Sequence, residues 1–225
     1  MTDALRNAIQ YLQRQRVDIP MDIYLPALKL GAIQAKGNLS AVNKAYHDAI
    51  TSSLTTYFEG GSTSTKNAFR RAMVEAFGEA VDLGWKDGGQ EPPLDDELLD
   101  WFNARVNAEQ GFIDELFQQA RQLRKEADFD YFTWITSRAD TYTQAVASVY
   151  NAAVMFAQKN KMLVWHLGKT EKHCDTCLSL DGGRHKASWY IARDYIPRKP
   201  GAAMDCAGYN CDCSLTDDTG KAVTI

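Results

Sequence analysis

FTWITSRADTYTQAVASVYNAAVMF, residues 132–156, decides the fold. Phe132, Ile135, Ala139, Tyr142, Val146, Val149, Ala153 and Phe156 recur within it at spacings alternating between three and four. That period lays one apolar stripe along an α-helix and predicts shallow packing against other helices. Ala139 and Ala153 leave room for close approach. A stripe of only about four heptads points to packing within a helical body rather than to a coiled-coil oligomer. It also assigns Tyr142 and Phe156 to a core, not to ligand binding.

Upstream, the same period recurs. Asp95 predicts an N-cap, and the helix after it carries Leu98, Phe102, Val106, Ile113, Leu116 and Leu123 inward to about Ala127. A helix over about Thr65–Trp85 turns Phe69, Met73, Ala76, Phe77, Ala80 and Val81 to the core. Residues 60–62 are a loop, and KDGGQEPPLDDE, residues 86–97, is the clearest break. Leu28–Phe58 reads as two helical pieces with a boundary near residues 38–40. Asp3–Arg16 reads as a short helix with Leu5, Ile9 and Leu12 on one stripe, and Pro20 and Pro26 each suit the start of a turn.

Downstream, Lys159-Asn160-Lys161 closes the helix and MLVWHLG, from Met162, predicts a strand. Residues 188–191 and the terminal TGKAVTI are candidates for further short strands. The expected fold is mainly α: a multi-helix body followed by a small loop-rich, cysteine-containing α+β terminal module. Its expected divisions are an N-terminal helical region over 1–86, a long-helix pair over 94–160 and the cysteine module over 161–225.

Composition narrows the function. The chain has 225 residues and a formal net charge of -4, so it shows no global attraction to nucleic acid or to an acidic membrane. No apolar run is long enough to span a bilayer. The first residues carry scattered charge and no apolar block, which predicts synthesis in the cytoplasm without a secretory signal. Between Asp87 and Asp130, twelve acids face four bases (Arg105, Arg121, Arg124 and Lys125). This strip is a solvated helix face or a docking face for a basic partner.

All five cysteines lie in the last quarter: Cys174, Cys177, Cys206, Cys211 and Cys213. Two residues separate the first pair and one the last. Close thiols in a reducing compartment read as metal ligands before disulfides. Zinc takes four tetrahedral ligands, and an all-sulfur set makes a closed, structural site. A metal cross-link over the 28 residues between Cys177 and Cys206 would stabilise a module with a small core. The preferred set is Cys174, Cys177, Cys206 and Cys211, with Cys213 able to replace either of the last two and His173 and His185 as weaker candidates. Reduced structural cysteines, disulfides formed in an oxidising setting and thioredoxin-like chemistry stay open. The last requires Cys174-x-x-Cys177 to open a helix, which the sequence does not suggest. Asp181-Gly182-Gly183 is turn chemistry, and neither a phosphate loop nor an acid/base pair stands out.

The order of these residues resembles the phage head morphogenesis proteins, or Mu F-like minor head proteins. Arg138 and Thr141 begin the likeness, Trp165 matches the family tryptophan, and CDTCLSLDG over 174–182 matches the central motif. Ile196-Pro197 looks like the approach to the end motif, and Asn210-Cys211-Asp212-Cys213 resembles Asn-Cys-Arg-Cys with aspartate for arginine. Cys206 stands near the family's histidine, two residues further from the last pair. The likeness covers roughly residues 135–215. It implies a non-enzymatic minor structural protein of a tailed-phage virion, acting in head morphogenesis. Its implied partners are the portal protein, the major capsid protein or both, with self-association and nucleic-acid contact open and no membrane. Its implied place is the head or neck of the virion, reached from the host cytoplasm. The alternative is a zinc-stapled nucleic-acid-binding module, using a basic, aromatic surface around Arg184, His185, Lys186, Trp189, Arg193, Arg198 and Lys199.

Overall fold

The computed structural model describes residues 38–225 except 92, 171 and 209–211. The expected helix over 3–16, the turns at Pro20 and Pro26 and the first piece of 28–58 lie outside the described residues. The fold is mainly helical with one small sheet: α1 (Leu39–Phe58), α2 (Thr63–Asp87), α3 (Asp96–Leu123), α4 (Tyr131–Ala157), β1 (Met162–His166), α5 (Asp175–Leu180), β2 (Arg184–Lys186), α6 (Ala187–Ala192) and β3 (Ser214–Thr216).

Helix ends follow local chemistry. Asn38 is extended, and its Oδ1 accepts from the Ala41 N–H at 2.9 Å, so α1 begins at the expected boundary. Gly60, at φ +118°, lets the chain leave α1. Asp95 caps α3 through the Leu98 N–H at 2.8 Å, as expected. The end of α3 falls at Leu123, short of the expected Ala127. Asp130 caps α4, accepting from the Thr133 N–H at 3.2 Å and its hydroxyl at 2.6 Å.

The chain forms two compact units. One runs up to Glu79 and includes Pro93–Thr143; the other comprises Ala80–Pro92 and Gln144–Ile225. In the first, Val42, Tyr46, Ile50 and Leu54 bury one face of α1. The Tyr46 ring packs on Phe69 at 6.1 Å and Phe77 at 6.3 Å, and Phe69 meets Phe117 and Tyr142. Tyr142 thus packs against the core but is itself only half-buried. Phe132 does not join it: it is 61% exposed and packs its ring on Tyr131 at 4.3 Å. It sits in the first turn of α4, beyond the reach of the inward stripe.

In the second unit, Gly84 and Ala153 allow the close approach expected of small residues. A Cβ at Gly84 would lie 2.5 Å from the Tyr150 carbonyl oxygen and 2.9 Å from the Ala153 Cβ. The sheet has order β2-β1-β3, antiparallel throughout. Leu163 pairs with His185, and Trp165 with Leu215. Leu163, Trp165 and Leu215 are fully buried, whereas His166 is exposed, the alternation of a one-sided sheet.

Two strand expectations are corrected. Residues 188–191 lie in helix α6, and the strand beside β1 is Arg184–Lys186. The Ala187 and Ser188 N–H groups donate to the Lys161 and Lys159 carbonyls, which starts a helix with Ala187 and Tyr190 buried. The third strand is Ser214–Thr216, upstream of TGKAVTI, of which Ala222 forms a single bridge to Thr216.

Candidate metal centre

The cysteine module is built on α5. Cys174 is extended and N-caps this six-residue helix, its Sγ accepting from the Cys177 N–H at 3.4 Å. The Cys-x-x-Cys therefore opens a short helix, which the sequence reading did not anticipate. Cys177 is buried, and Leu180 anchors the same helix. Gly182, at φ +71°, makes the expected turn into β2.

Cys206 is brought to this helix by a clamp. The Asp205 carboxylate accepts from the Thr176 N–H at 2.9 Å and from its hydroxyl at 2.7 Å. The Asp205 N–H returns a bond to the Thr176 hydroxyl at 3.3 Å. The Thr176 bonds hold the Asp205 carboxyl below its ordinary range. Past Cys206 the chain turns through two left-handed residues, Ala207 at φ 47° and Gly208 at φ 73°. A Cβ at Gly208 would collide with the Lys199 main chain, so glycine is required there.

The Sγ atoms of Cys174, Cys177 and Cys206 lie within 4.8 Å of one another. Zn–S bonds of about 2.3 Å place tetrahedral thiolates about 3.8 Å apart, so the three sulfurs can close on zinc with little movement. Burial pushes the Cys174 thiol up, but hydrogen bonds from Cys177 and Cys206 outweigh it and hold the thiol below its ordinary value. A thiolate-favouring site is what a metal ligand needs. Cys174, Cys177, Cys206 and Cys213 are all thiols rather than disulfides.

Among the described residues, no other expected ligand joins this group. Cys213 is buried at the entrance to β3 and lies outside the three-sulfur group. Cys211 lies outside the described residues. Asp212, between them in sequence, pairs with Arg198, and a Cβ at Gly168 would collide with its main chain. His173 Nδ1 lies 3.2 Å from the Thr170 hydroxyl, and His185 stacks on Trp189 at 3.7 Å; neither joins the sulfurs. Thr176 and Asp205 went unnoticed in the sequence because they are 29 residues apart and neither is a ligand type for a thiolate site.

The basic, aromatic surface of the module is largely satisfied internally. Arg184 pairs with Asp218 at 2.7 Å, Lys199 with Asp194 at 2.7 Å, and Arg198 with Asp212. The Arg193 guanidinium carbon lies 4.1 Å from the Trp189 ring centroid. The Trp189 indole is thus engaged within the module by both His185 and Arg193.

The fold and site together define a mainly helical protein with a small module in which three thiols converge. Among the described residues, no helix is long and apolar enough to cross a membrane. No family model, curated protein or solved structure matches the chain.

Proposed function

We propose that this chain is a minor structural protein of a tailed-phage head, acting in morphogenesis at the portal or capsid, with a terminal module stapled by zinc. The observation that carries the reading is the convergence of Cys174, Cys177 and Cys206. Of the residues that carry the resemblance, Trp165, Cys174, Cys177, Asp181 and Gly182 lie in the same module. The indole of Trp165 is fully buried in its sheet, and the Asp181 carboxylate accepts from the Leu167 N–H at 3.2 Å.

In this reading the module has no catalytic task. Zinc held by Cys174, Cys177 and Cys206 would fix the position of α5 against the loop that carries Cys206. Such a site contributes folding free energy directly, because the unfolded chain holds no preformed site. A rigid module suits docking to a larger assembly, where ordering a loose segment would weaken binding.

The functional test is mass spectrometry of purified virions and portal-containing procapsids from cells producing the phage. Recovery of the chain at a few copies per particle supports the reading. Its absence from both, with normal particles assembling when it is deleted, defeats it. The metal test is separate. Elemental analysis of the purified chain should find zinc at about one per chain; metal-free protein with fully titratable thiols excludes the staple.

A further inference from the structure

The helical body carries a second feature, remote in sequence from the cysteines. A groove of about 840 Å³ is lined by Lys66 of α2, by Arg121 at the end of α3, by Arg124 and Lys125 just past it, and by Tyr57 and Phe117. This volume is within the range of small-ligand sites. The acid in its lining, Asp114, already meets two cations: Lys66 at 2.9 Å and Arg70 at 2.6 Å. Arg121, Arg124 and Lys125 meet no acid among the described residues. Arg124 lies over the Tyr57 ring at 5.4 Å, and the Lys125 ammonium donates to the Gln122 side chain at 3.0 Å. All three are exposed.

Bases near a helix C-terminus complement its dipole, and that alone accounts for some positive charge on α3. It does not account for Lys66 and Arg70, which come from a different helix and neutralise the nearest carboxylate. The outcome is local positive charge in a chain whose net charge is -4. The acidic strip read between residues 87 and 130 is therefore not uniform. Three of its four bases gather in one groove, and the fourth, Arg105, is buried beside Glu109.

We infer that this groove binds an oligophosphate, carried on a nucleotide or on a short single strand of nucleic acid. Guanidinium forks and an ammonium match adjacent phosphates, and aromatic side chains beside cations are the combination on which nucleotides and single strands stack. This goes beyond the proposed role in head assembly and stands or falls without it.

The test uses the full chain and fluorescence anisotropy with a labelled single-stranded oligodeoxythymidylate. Inorganic triphosphate, a nucleoside triphosphate and polyglutamate serve as competitors. The strand should bind with a log affinity that falls against log salt with a slope of about -2, as expected for three phosphate contacts. Inorganic triphosphate should displace it. The double variant Arg121→Glu, Lys125→Glu should weaken binding by about tenfold or more and flatten that slope. Arg121→Lys should retain binding, and Lys161→Glu should have no effect. Circular dichroism of each variant verifies that α3 is intact. Displacement by the nucleoside triphosphate at lower concentration than by inorganic triphosphate assigns the groove to a nucleotide; equal displacement by the two assigns it to a strand backbone. Failure of both strand and triphosphate to bind overturns the inference, as does unchanged affinity in the charge-reversed variant. Polyglutamate competing as well as triphosphate also overturns it, in favour of an acidic peptide.

Discussion

Asn151 holds Ile225 by a two-way hydrogen bond: its Oδ1 accepts from the Ile225 N–H at 3.0 Å and its Nδ2 donates to the Ile225 carbonyl at 3.1 Å. The same Nδ2 donates to the Pro197 carbonyl at 3.2 Å. Asn151 is fully buried, so one side chain on α4 fixes two distant segments of the terminal module.

Replacing Asn151 should therefore cost more than a surface amide would. Asn151→Ala leaves the Ile225 N–H and two carbonyls without their partner, at about 2–4 kcal/mol in total. Asn151→Asp keeps the acceptor but turns a carboxylate oxygen toward two carbonyls, and should be at least as damaging. Urea denaturation should rank both below Asn151→Gln, which retains the amide.

At Gly84 the expected effect is steric. The added methyl of Gly84→Ala meets the Tyr150 carbonyl and the Ala153 methyl, neither of which is the tip of a flexible side chain. Overpacking of this kind costs about 1–3 kcal/mol. Pairing it with Ala153→Gly relieves the side-chain clash but not the one with the carbonyl. Partial recovery of the denaturation midpoint is thus the expected result.

Neither position carries a signal in the sequence, whereas other features do. Asp95, the 38–40 boundary and the α4 stripe were legible because capping and helical period are local signals. The strand expected at residues 188–191 failed because Trp189, Tyr190 and Ile191 favour extended chain on their own. Carbonyls of Lys159 and Lys161 overrode that preference, a long-range effect that composition does not carry. The pairing of Cys174 with Cys177 was legible from spacing. The recruitment of Cys206 rests on Thr176 and Asp205, a pair with no sequence signature.

A buried ion pair in the first unit gives a pH-dependent prediction. The Arg105 Nη2 lies 2.8 Å from the Glu109 Oε2 with both side chains almost wholly buried, although the approach is not aligned as a hydrogen bond. Burial pushes the Glu109 carboxyl above its ordinary value of 4.5, and Arg105 offsets this only in part. A raised carboxyl favours folding below the unfolded value, and that contribution fades as pH rises through the folded one. Wild-type stability relative to Glu109→Gln should accordingly fall as pH climbs past 4.5. Glu109→Leu alone should cost about 3 kcal/mol by removing the carboxylate that faces the buried guanidinium, while Arg105→Met with Glu109→Leu should recover most of that loss. Chemical denaturation across pH measures both.

The Thr176–Asp205 clamp separates a metal site held by its surroundings from three thiols that merely lie close. Asp205 is not one of the three thiol residues, yet its carboxylate ties the residue before Cys206 to α5. Removing outer partners of this kind typically lowers metal affinity by about 10–100-fold. Asp205→Ala should show that loss in competition with a chromophoric chelator while all three cysteines remain, and Cys206→Ser should show a larger one. Because the folded Asp205 carboxyl is depressed, the clamp is complete above the unfolded value of 3.8 and is lost as pH falls through the folded one. Zinc affinity unchanged by Asp205→Ala, but abolished by Cys206→Ser, would show that the thiols find the metal without the clamp.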